Sequence, residues 1–318
     1  MHYQTLGNGE LSNVSSVALG VMRIADKTSD EAQTIVETAL ENGVNFFDTA
    51  DIYGGGKSSQ VFGQALQDLN VKREDVFIQS KGGIILPNGQ INGDGLTGPR
   101  YDFSKDHLIA AVDVELQRLQ TDYLDVFLLH RPDTLMEPDA IAEAFNELET
   151  AGKVRHFGVS NFTPYQVDLL KTAVKQPLVA NQLQFGLGHA QMVTREFHHN
   201  TDDTAAVDRD NGILSYSRLH KMTIQAWSPF QFGQFAGVFM DNDAFPELND
   251  KLQQLADKYH ATKNAVAVAW ILRHPAHMQV IVGSMTPSRL AEMLNFDDVQ
   301  LTNQEWYDLL MAAGNTLP

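Results

Sequence analysis

Eight short apolar segments, each followed by a stretch with helical periodicity, constrain the fold of this chain more than any other feature. Each segment is almost continuously apolar, which is typical of parallel strands covered on both faces. Eight alternations of strand and helix predict one (β/α)₈ barrel of the α/β class, forming a single domain over residues 1–318, rather than an open sheet. The predicted strands are residues 15–20, 44–48, 75–80, 123–130, 154–160, 178–184, 222–228 and 278–284.

Capping residues and glycines mark the ends of the helices in the same rhythm. Ser104 precedes the helical pattern KDHLIAAVDVELQRL, and Thr163-Pro164 has the order typical of a helix start. Gly43 and Gly152 are placed to end helices. The opening TLGNGELSN predicts a β-hairpin, which we expect to close the lower end of the barrel.

Three of the connections that lead from a strand to the next helix are longer than the rest. They cover residues 82–103, 185–210 and 229–246, after the third, sixth and seventh predicted strands. In a barrel such connections lie on the rim at the carboxyl ends of the strands, where active sites are assembled. We therefore expect this rim to carry the function.

Composition narrows the range of partners. The formal charge is -17 and the sequence pI is about 4.9, which disfavours nucleic acid and anionic membranes. With no cysteine, disulfides, thiolate metal sites and cysteine nucleophiles are excluded. The longest apolar run, AVAVAWIL at 265–272, is too short to cross a bilayer, and the first residues show no secretory signal. We expect a cytoplasmic monomer acting on a small molecule.

Two glycine motifs resemble nucleotide-binding loops without meeting their requirements. Gly56-Lys57-Ser58 ends like a phosphate-binding loop, but the position five residues earlier, which needs glycine, is Asp51. The run from Gly93 to Gly98 has the G-x-G-x-x-G spacing of a dinucleotide fold, yet no strand precedes it and no helix follows. Both are predicted to be turns or loops.

A histidine pair in the 185–210 insertion could suggest a metal site. His198 and His199 stand near Asp202 and Asp203, but without the i, i+4 spacing of a helical ligand pair. We predict a solvated polar surface there and no bound metal.

Polar residues occupy the ends of the predicted strands, where core packing alone would favour apolar ones. In a barrel these ends converge on one rim. The strand-end residues are Asp48, Lys81, His130, Ser160, Asn161, Gln182, Trp227 and Ser284, and Tyr53 lies in the loop just after Asp48.

Four of these residues can together deliver a proton. A tyrosine phenol has an unperturbed pKa of about 10 and is a poor donor near neutrality. An ammonium group such as Lys81 lowers that pKa by stabilising phenolate, and Asp48 keeps the ammonium charged and in place. His130 can hydrogen-bond a substrate carbonyl. Together they predict an acid at Tyr53 that protonates an oxyanion as it forms.

The blocks FFDTADIYG, FIQSK, YLDVFLLHRP, KVRHFGVSNF and IVGSMTPSRL resemble the signature blocks of the aldo-keto reductase superfamily. Their order and spacing match over essentially the whole chain, which looks closest to the bacterial branch with HRPD after the fourth strand. The resemblance implies a barrel that binds NADP(H) without a Rossmann domain and reduces aldehydes or ketones to alcohols. It makes Tyr53 the general acid, Lys81 and Asp48 its tuning pair, and His130 the residue that orients the carbonyl.

The same resemblance implies a cofactor site along one side of the rim. Ser160, Asn161 and Gln182 would hold the nicotinamide carboxamide, which presents one acceptor and one donor group. Trp227 would stack on the nicotinamide ring, where relatives often have tyrosine. The remaining expected cofactor residues are Ser228, Gly283, Ser284, Thr286 and Arg289.

Two departures from the family pattern affect specificity. Many relatives have a lysine on the adenosine 2′-phosphate where this chain has Gly283, so Arg289 is expected to bind that phosphate and to favour NADP(H) over NAD(H). Met22 and Arg131 stand where many relatives carry tryptophans. We therefore expect an open substrate pocket whose specificity depends on the rim insertions.

Two other functions remain open at this point. Some members of the superfamily are cofactor-binding regulatory subunits of ion channels with little turnover, which is the main alternative. A barrel enzyme without a cofactor could instead use the carboxylate and lysine for proton abstraction. Turnover with reduced nicotinamide coenzymes, and binding of those coenzymes, separate the three hypotheses.

Overall fold

The structure, a computed structural model, describes residues 1–86, 99–233 and 236–318. The motif between Gly93 and Gly98 lies outside these residues. In chain order the strands are β1 (Tyr3–Leu6), β2 (Leu11–Ser15), β3 (Val17–Gly20), β4 (Phe46–Asp48), β5 (Phe77–Gly82), β6 (Ile84–Ile85), β7 (Arg100–Tyr101), β8 (Leu124–Leu129), β9 (Val154–Ser160), β10 (Leu178–Gln184), β11 (Thr223–Trp227) and β12 (Gln279–Val282).

Eleven α-helices are found in the described ranges, and most of them connect one barrel strand to the next. They are α1 (Ser29–Glu41), α2 (Lys57–Asp68), α3 (Lys105–Leu119), α4 (Pro138–Thr150), α5 (Pro164–Leu170), α6 (Gln191–Phe197), α7 (Ile213–Leu219), α8 (Pro246–Tyr259), α9 (Lys263–Leu272), α10 (Pro287–Leu294) and α11 (Asn303–Ala312). Within the described ranges, none of these helices combines the length and the apolar character needed to cross a lipid bilayer.

Eight of the strands close into a parallel barrel, which confirms the predicted fold. Around the barrel the order is β3, β4, β5, β8, β9, β10, β11 and β12. Each barrel strand therefore pairs with the barrel strand that follows it in the sequence, and β12 pairs with β3 to close the barrel. Each lies within the predicted segment or extends at most two residues beyond it. Strand residues are buried both inside the barrel and beneath the surrounding helices, which explains their continuous apolar character.

The antiparallel hairpin of β1 and β2 covers the amino-terminal end of the barrel strands, as predicted. Leu6, Leu11 and Val14 of the hairpin are buried in one cluster with residues of the barrel interior. The backbone N–H of Gly7 donates to the Thr223 hydroxyl at the start of β11 (3.0 Å). Gly7 has a φ of +63°, and a Cβ there would lie 3.2 Å from Val179. The hairpin therefore closes this end of the barrel, and the opposite rim is the end where barrels of this kind carry their sites.

The helix boundaries follow the predicted capping chemistry. The Ser104 hydroxyl accepts the His107 N–H at the start of α3, and Thr163 forms a capping box with Gln166 at the start of α5. Gly43 and Gly152 follow α1 and α4 with φ of +81° and +70°. Because α5 begins only a few residues after β9, its cap also anchors the backbone that follows Ser160 at the rim.

Candidate active site

A cavity of about 870 Å³ lies at the carboxyl ends of the barrel strands. It extends from the loop after β4 to α10, across the rim that the hairpin leaves open. Most of the predicted site residues line it, while Lys81 is completely buried behind its wall and Thr286 stands outside. The predicted residues on its surface are Met22, Asp48, Tyr53, His130, Arg131, Ser160, Asn161, Gln182, Trp227, Ser228, Gly283, Ser284 and Arg289.

A buried ion pair joins Asp48 at the end of β4 to Lys81 near the end of β5. The Lys81 Nζ lies 2.7 Å from each carboxylate oxygen of Asp48 and 2.7 Å from the backbone oxygen of Thr49. Burial acts to lower the pKa of Lys81, but the Asp48 carboxylate and the Tyr53 side chain together outweigh the effect of burial, and the pKa is raised overall. Lys81 is therefore an ammonium group at neutral pH.

Tyr53 and His130 lie beside this ion pair. The Lys81 Nζ is 5.0 Å from the centroid of the Tyr53 ring. The Tyr53 and His130 rings meet edge to face, with centroids 5.7 Å apart and an interplanar angle of 81°. The structure thus brings Asp48, Tyr53, Lys81 and His130 together at one end of the cavity.

The pKa of Tyr53 shifts in the direction opposite to the sequence-based expectation. Burial raises the pKa of the phenol above its usual 10, the Lys81 ammonium opposes that shift, and the Asp48 carboxylate adds to it. The expected lowering by Lys81 is present but smaller than the effect of burial. Tyr53 is consequently protonated at neutral pH and has a proton to donate.

His130 is neutral at neutral pH. Burial, followed by the charges of Lys81 and Arg131, holds its pKa well below the usual 6.5. A neutral imidazole carries one N–H and can donate it to a carbonyl oxygen without giving up its proton. The site therefore combines one hydrogen-bond donor at His130 with one proton donor at Tyr53.

Four glutamines form a hydrogen-bonded chain across the barrel interior beneath the site. The Nε2 groups of Gln79 and Gln182 donate to Asp48 Oδ1, at 2.6 and 2.9 Å. Gln225 donates to Gln79 and Gln279 (3.1 and 2.8 Å), and Gln279 donates to the backbone oxygen of Ser15 (2.9 Å). This chain orients the carboxylate that holds Lys81.

Sequence reasoning missed three of these glutamines. Gln79, Gln225 and Gln279 are single polar residues within the apolar segments FIQSK, TIQAW and MQVIV. All three are fully buried. A polar residue inside a strand that must be buried on both faces was the available signal, because such a group needs a buried partner.

A second polar layer lies behind Lys81, between β5 and α3. The Glu115 carboxylate is fully buried and accepts the hydroxyls of Ser59 and Ser80, each at 2.7 Å. Arg118 donates to Glu115 (3.1 Å) and to the backbone oxygen of Asp51 (2.8 Å). Burial and then the Glu115 charge raise the pKa of Asp51 well above its usual value.

The glycine turn after Tyr53 does not have the contacts of a phosphate-binding loop. The Ser58 hydroxyl donates to the backbone oxygen of Met22 (2.9 Å), and Lys57 is exposed, 4.0 Å from Asp26. Asp51 is buried beneath the turn. Gly54, Gly55 and Gly56 all have positive φ, so the run serves to turn the chain from β4 into α2.

On the opposite wall of the cavity, hydrogen bonds orient an indole ring and two amides. Trp227 Nε1 donates to Asn161 Oδ1 (3.2 Å), and Asn161 Nδ2 donates to the Ser160 hydroxyl (2.8 Å). The Ser160 hydroxyl donates to the backbone oxygen of Gln182 (3.1 Å). The ends of β9, β10 and β11 thus present one aromatic face flanked by amide groups.

The prediction of a solvated polar surface in the 185–210 insertion is wrong for His198, which is buried and hydrogen-bonded within the chain. His198 Nδ1 lies 2.7 Å from Asp203, and Nε2 lies 3.0 Å from the backbone oxygen of Thr316. Both ring nitrogens of His198 are therefore engaged within the chain. Among the described residues, no three histidine, aspartate or glutamate side chains are grouped as a metal would require.

Comparison with known proteins identifies the family. The model of the aldo/keto reductase family matches residues 16–310, and the chain belongs to this family. It is 33% identical over 302 residues to the oxidoreductase YdhF of Escherichia coli K12, covering 94% of this chain and 93% of that protein. It is 31% identical over 325 residues to a 6-dehydroglucose reductase of Novosphingobium aromaticivorans, covering 99% and 97%.

A solved structure supports the fold independently. The thermostable aldo-keto reductase Tm1743 aligns with a TM-score of 0.76, covering 98% of this chain and all of that one, at 24% identity. At this identity the likeness concerns the fold alone. The superfamily resemblance drawn from the sequence blocks is confirmed by the family match and the relatives, and the chain is an oxidoreductase-family barrel.

The glutamine chain predicts separable effects on stability and catalysis. Gln79→Met and Gln279→Met each remove one amide from the row of hydrogen-bonded glutamines and leave its buried partners unpaired. Each substitution is therefore expected to lower the free energy of unfolding by about 1–3 kcal/mol. Of these two glutamines, only Gln79 donates to Asp48. Urea unfolding and steady-state kinetics should show similar stability losses but a roughly tenfold lower kcat for Gln79→Met alone. Equal kcat values in the two variants would contradict the positioning role.

Proposed function

We propose that this protein is an NADP(H)-dependent reductase that converts aldehydes or ketones to alcohols. The observation that carries the proposal is the grouping of a protonated phenol, a buried ammonium–carboxylate pair and a neutral imidazole at one end of the cavity. A general acid must carry its proton, a neutral imidazole can donate a hydrogen bond to a carbonyl oxygen, and an ammonium can stabilise the phenolate that remains. Membership of the aldo/keto reductase family supports the same reaction class.

The chemistry of the cavity wall fits a nicotinamide dinucleotide. Trp227 would offer a flat face to the nicotinamide ring, and Ser160, Asn161 and Gln182, which line the same cavity, would hold its carboxamide. A Cβ on Gly283 would meet nothing nearer than a backbone oxygen 3.9 Å away, so the wall is open there. Further along, Ser228, Ser284 and Arg289 line the cavity, and Thr286 stands beside Ser284. When bound, the coenzyme supplies the hydride.

The chain's own residues supply the proton and the polarisation. His130 donates its N–H to the carbonyl oxygen, and Tyr53 donates its proton to that oxygen as negative charge develops on it. The Lys81 ammonium stabilises the resulting phenolate, and Asp48 with its two glutamine donors keeps the ammonium in place. Hydride at carbon and a proton at oxygen together give the alcohol.

Replacing Tyr53 with phenylalanine tests the proton donor. Tyr53→Phe keeps the ring but removes the hydroxyl, so hydride transfer is expected to slow by roughly 10²- to 10⁴-fold. The dissociation constant of NADPH, measured by quenching of Trp227 emission, should change by less than about threefold because Trp227 and its amide neighbours are untouched. Full activity in this variant would rule out the assigned role.

The raised pKa of Tyr53 predicts opposite pH dependences for the two directions. A general acid must be protonated, and Tyr53 is protonated throughout the neutral range. The rate constant of hydride transfer in reduction should therefore stay constant within about twofold from about pH 6.5 to 9. In the reverse direction, oxidation of an alcohol needs the Tyr53 phenolate as a base, so the rate of alcohol oxidation should rise with pH over this range. Stopped-flow measurements in which reduction falls about tenfold from pH 7 to 9 would show a lowered phenol pKa instead.

The coenzyme phosphate is tested at Arg289. Arg289→Gln removes the guanidinium proposed for the 2′-phosphate, and a hydrogen bond to such a charged group corresponds to roughly a 10- to 100-fold change in binding. The KM for NADPH should rise by that factor, while the KM for NADH, which lacks the phosphate, serves as the internal control. An equal change for both coenzymes would contradict the assignment.

A panel of carbonyl compounds separates the reductase from the alternatives. Oxidation of NADPH and NADH is followed with aldehydes, ketones and sugars, including an aldose with an aldehyde at carbon 6 because of the relative named 6-dehydroglucose reductase. Turnover supports the reductase. Tight coenzyme binding without turnover of any compound would favour a cofactor-binding regulatory subunit, and no binding of either coenzyme would favour a cofactor-free enzyme.

A further inference from the structure

A second cavity, of about 440 Å³, adjoins the first at the barrel rim. Arg131, Asn161 and Trp227 line both cavities, so the cavities meet at these side chains. The second cavity lies between the start of α5, the end of β10 and the 185–210 insertion. It shares neither Ser284 nor Arg289, and so it lies away from the proposed phosphate end of the first cavity.

The second cavity is basic in a strongly acidic protein. The chain has 23 lysines and arginines against 40 aspartates and glutamates. Arg131, Arg195 and Arg209 nevertheless line this one cavity together with a single carboxylate, Asp210. Arg195 pairs with Asp210 at 3.1 Å, and in the described part of the chain neither Arg131 nor Arg209 forms an ion pair with a carboxylate. Such a site attracts anions and disfavours cations.

Neutral hydrogen-bond donors add to the charge. Gln184 lines the cavity, and its Nε2 is buried with no hydrogen-bond partner among the described residues. A buried donor needs an acceptor, and an oxygen of a ligand in this cavity could supply one. His189, also on the wall, has a pKa lowered by burial and by Arg195, and is therefore neutral at pH 7.

We propose that the second cavity binds the anionic group, a carboxylate or a phosphate, of a carbonyl substrate whose C=O lies between Tyr53 and His130. This assignment rests on the proposed reductase function and specifies its substrate class. Arg131 directly follows His130 and lines both cavities, so it connects the two parts of the substrate. A guanidinium donates two parallel hydrogen bonds to either anion. The carbonyl gains a hydride from the coenzyme and a proton from Tyr53, and the anionic group is unchanged.

Matched substrate pairs test the assignment with NADPH in excess. One pair is 4-carboxybenzaldehyde and 4-nitrobenzaldehyde, and the other is glyceraldehyde 3-phosphate and glyceraldehyde. In at least one pair the wild-type protein should prefer the anionic member in kcat/KM by about tenfold or more. The pair that shows the preference identifies carboxylate or phosphate as the group bound. Turnover without a preference in either pair would overturn the anionic site and leave the reductase function standing.

Charge-removing variants locate the preference. In Arg131→Gln and Arg209→Gln the ratio of kcat/KM for the anionic and neutral members should fall to within about threefold of unity. The exposed Lys175, outside both cavities, provides the matched control, because Lys175→Gln removes the same charge and should keep the wild-type ratio. A raised KM for NADPH in Arg131→Gln with an unchanged substrate ratio would assign this arginine to the coenzyme and contradict the proposal.

A binding measurement keeps the test independent of turnover. Benzoate and the neutral control benzyl alcohol are added separately to the protein, and tryptophan emission is recorded. Trp227 lines both cavities and should respond to a ligand, whereas Trp270 and Trp306 stack on each other in the core, with ring centroids 4.9 Å apart. Benzoate should bind saturably, and about tenfold more weakly in Arg131→Gln. Saturable benzoate binding without turnover of any carbonyl would sink the reductase proposal but keep the anion site. Absence of benzoate binding to the wild-type protein would overturn the site.

Discussion

The ion pair between Asp48 and Lys81 is the interaction on which the rest of the site depends. Removing two charges from water is costly, and a buried pair is retained only where hydrogen bonds satisfy both groups. Lys81 has three acceptors at 2.7 Å, and Asp48 Oδ1 also accepts the amides of Gln79 and Gln182. The pair is therefore held in one geometry, and it fixes a positive charge beside the Tyr53 phenol.

The barrel makes this pair possible. β4 and β5 are adjacent and parallel, and Asp48 is paired in register with Gln79. Lys81 lies two residues beyond Gln79, and a strand repeats its side-chain direction every two residues, so both point to the same side as Asp48. The hairpin covers the other end of the barrel, and both members of the pair are buried. Burial then sets the protonation states, a neutral imidazole at His130 and a protonated phenol at Tyr53.

The fold and the grouping of the four central residues could be predicted because their signals are local. Each of these signals lies within a short stretch of the sequence. They are the continuously apolar strands, capping residues such as Ser104, and polar strand ends such as Asp48 and His130. The family blocks then supplied the expected cofactor residues. Their arrangement along the cavity is consistent with that expectation, and their roles stay proposals.

The features that escaped prediction depend on partners far apart in the chain. Gln79 and Gln225 are 146 positions apart and meet only across the closed barrel. Glu115 belongs to a helix and carries a charge, yet it is fully buried against β5. The predicted direction of the Tyr53 pKa shift was wrong. The shift depends mainly on burial, which cannot be inferred from the spacing of residues in the sequence. The basic cavity combines Arg131 with two arginines of the 185–210 insertion, which has no periodicity to predict its path.

The most direct test of the account is an NMR titration of the Tyr53 hydroxyl in protein labelled with carbon-13 at the tyrosine Cζ. The Tyr53 signal is assigned by its loss in Tyr53→Phe, and the titration is repeated in Lys81→Met. The account predicts a phenol that titrates above its usual pKa of about 10 and at still higher pH once the ammonium is removed. A phenol that titrates near neutrality, or one whose pKa does not respond to Lys81→Met, would contradict it.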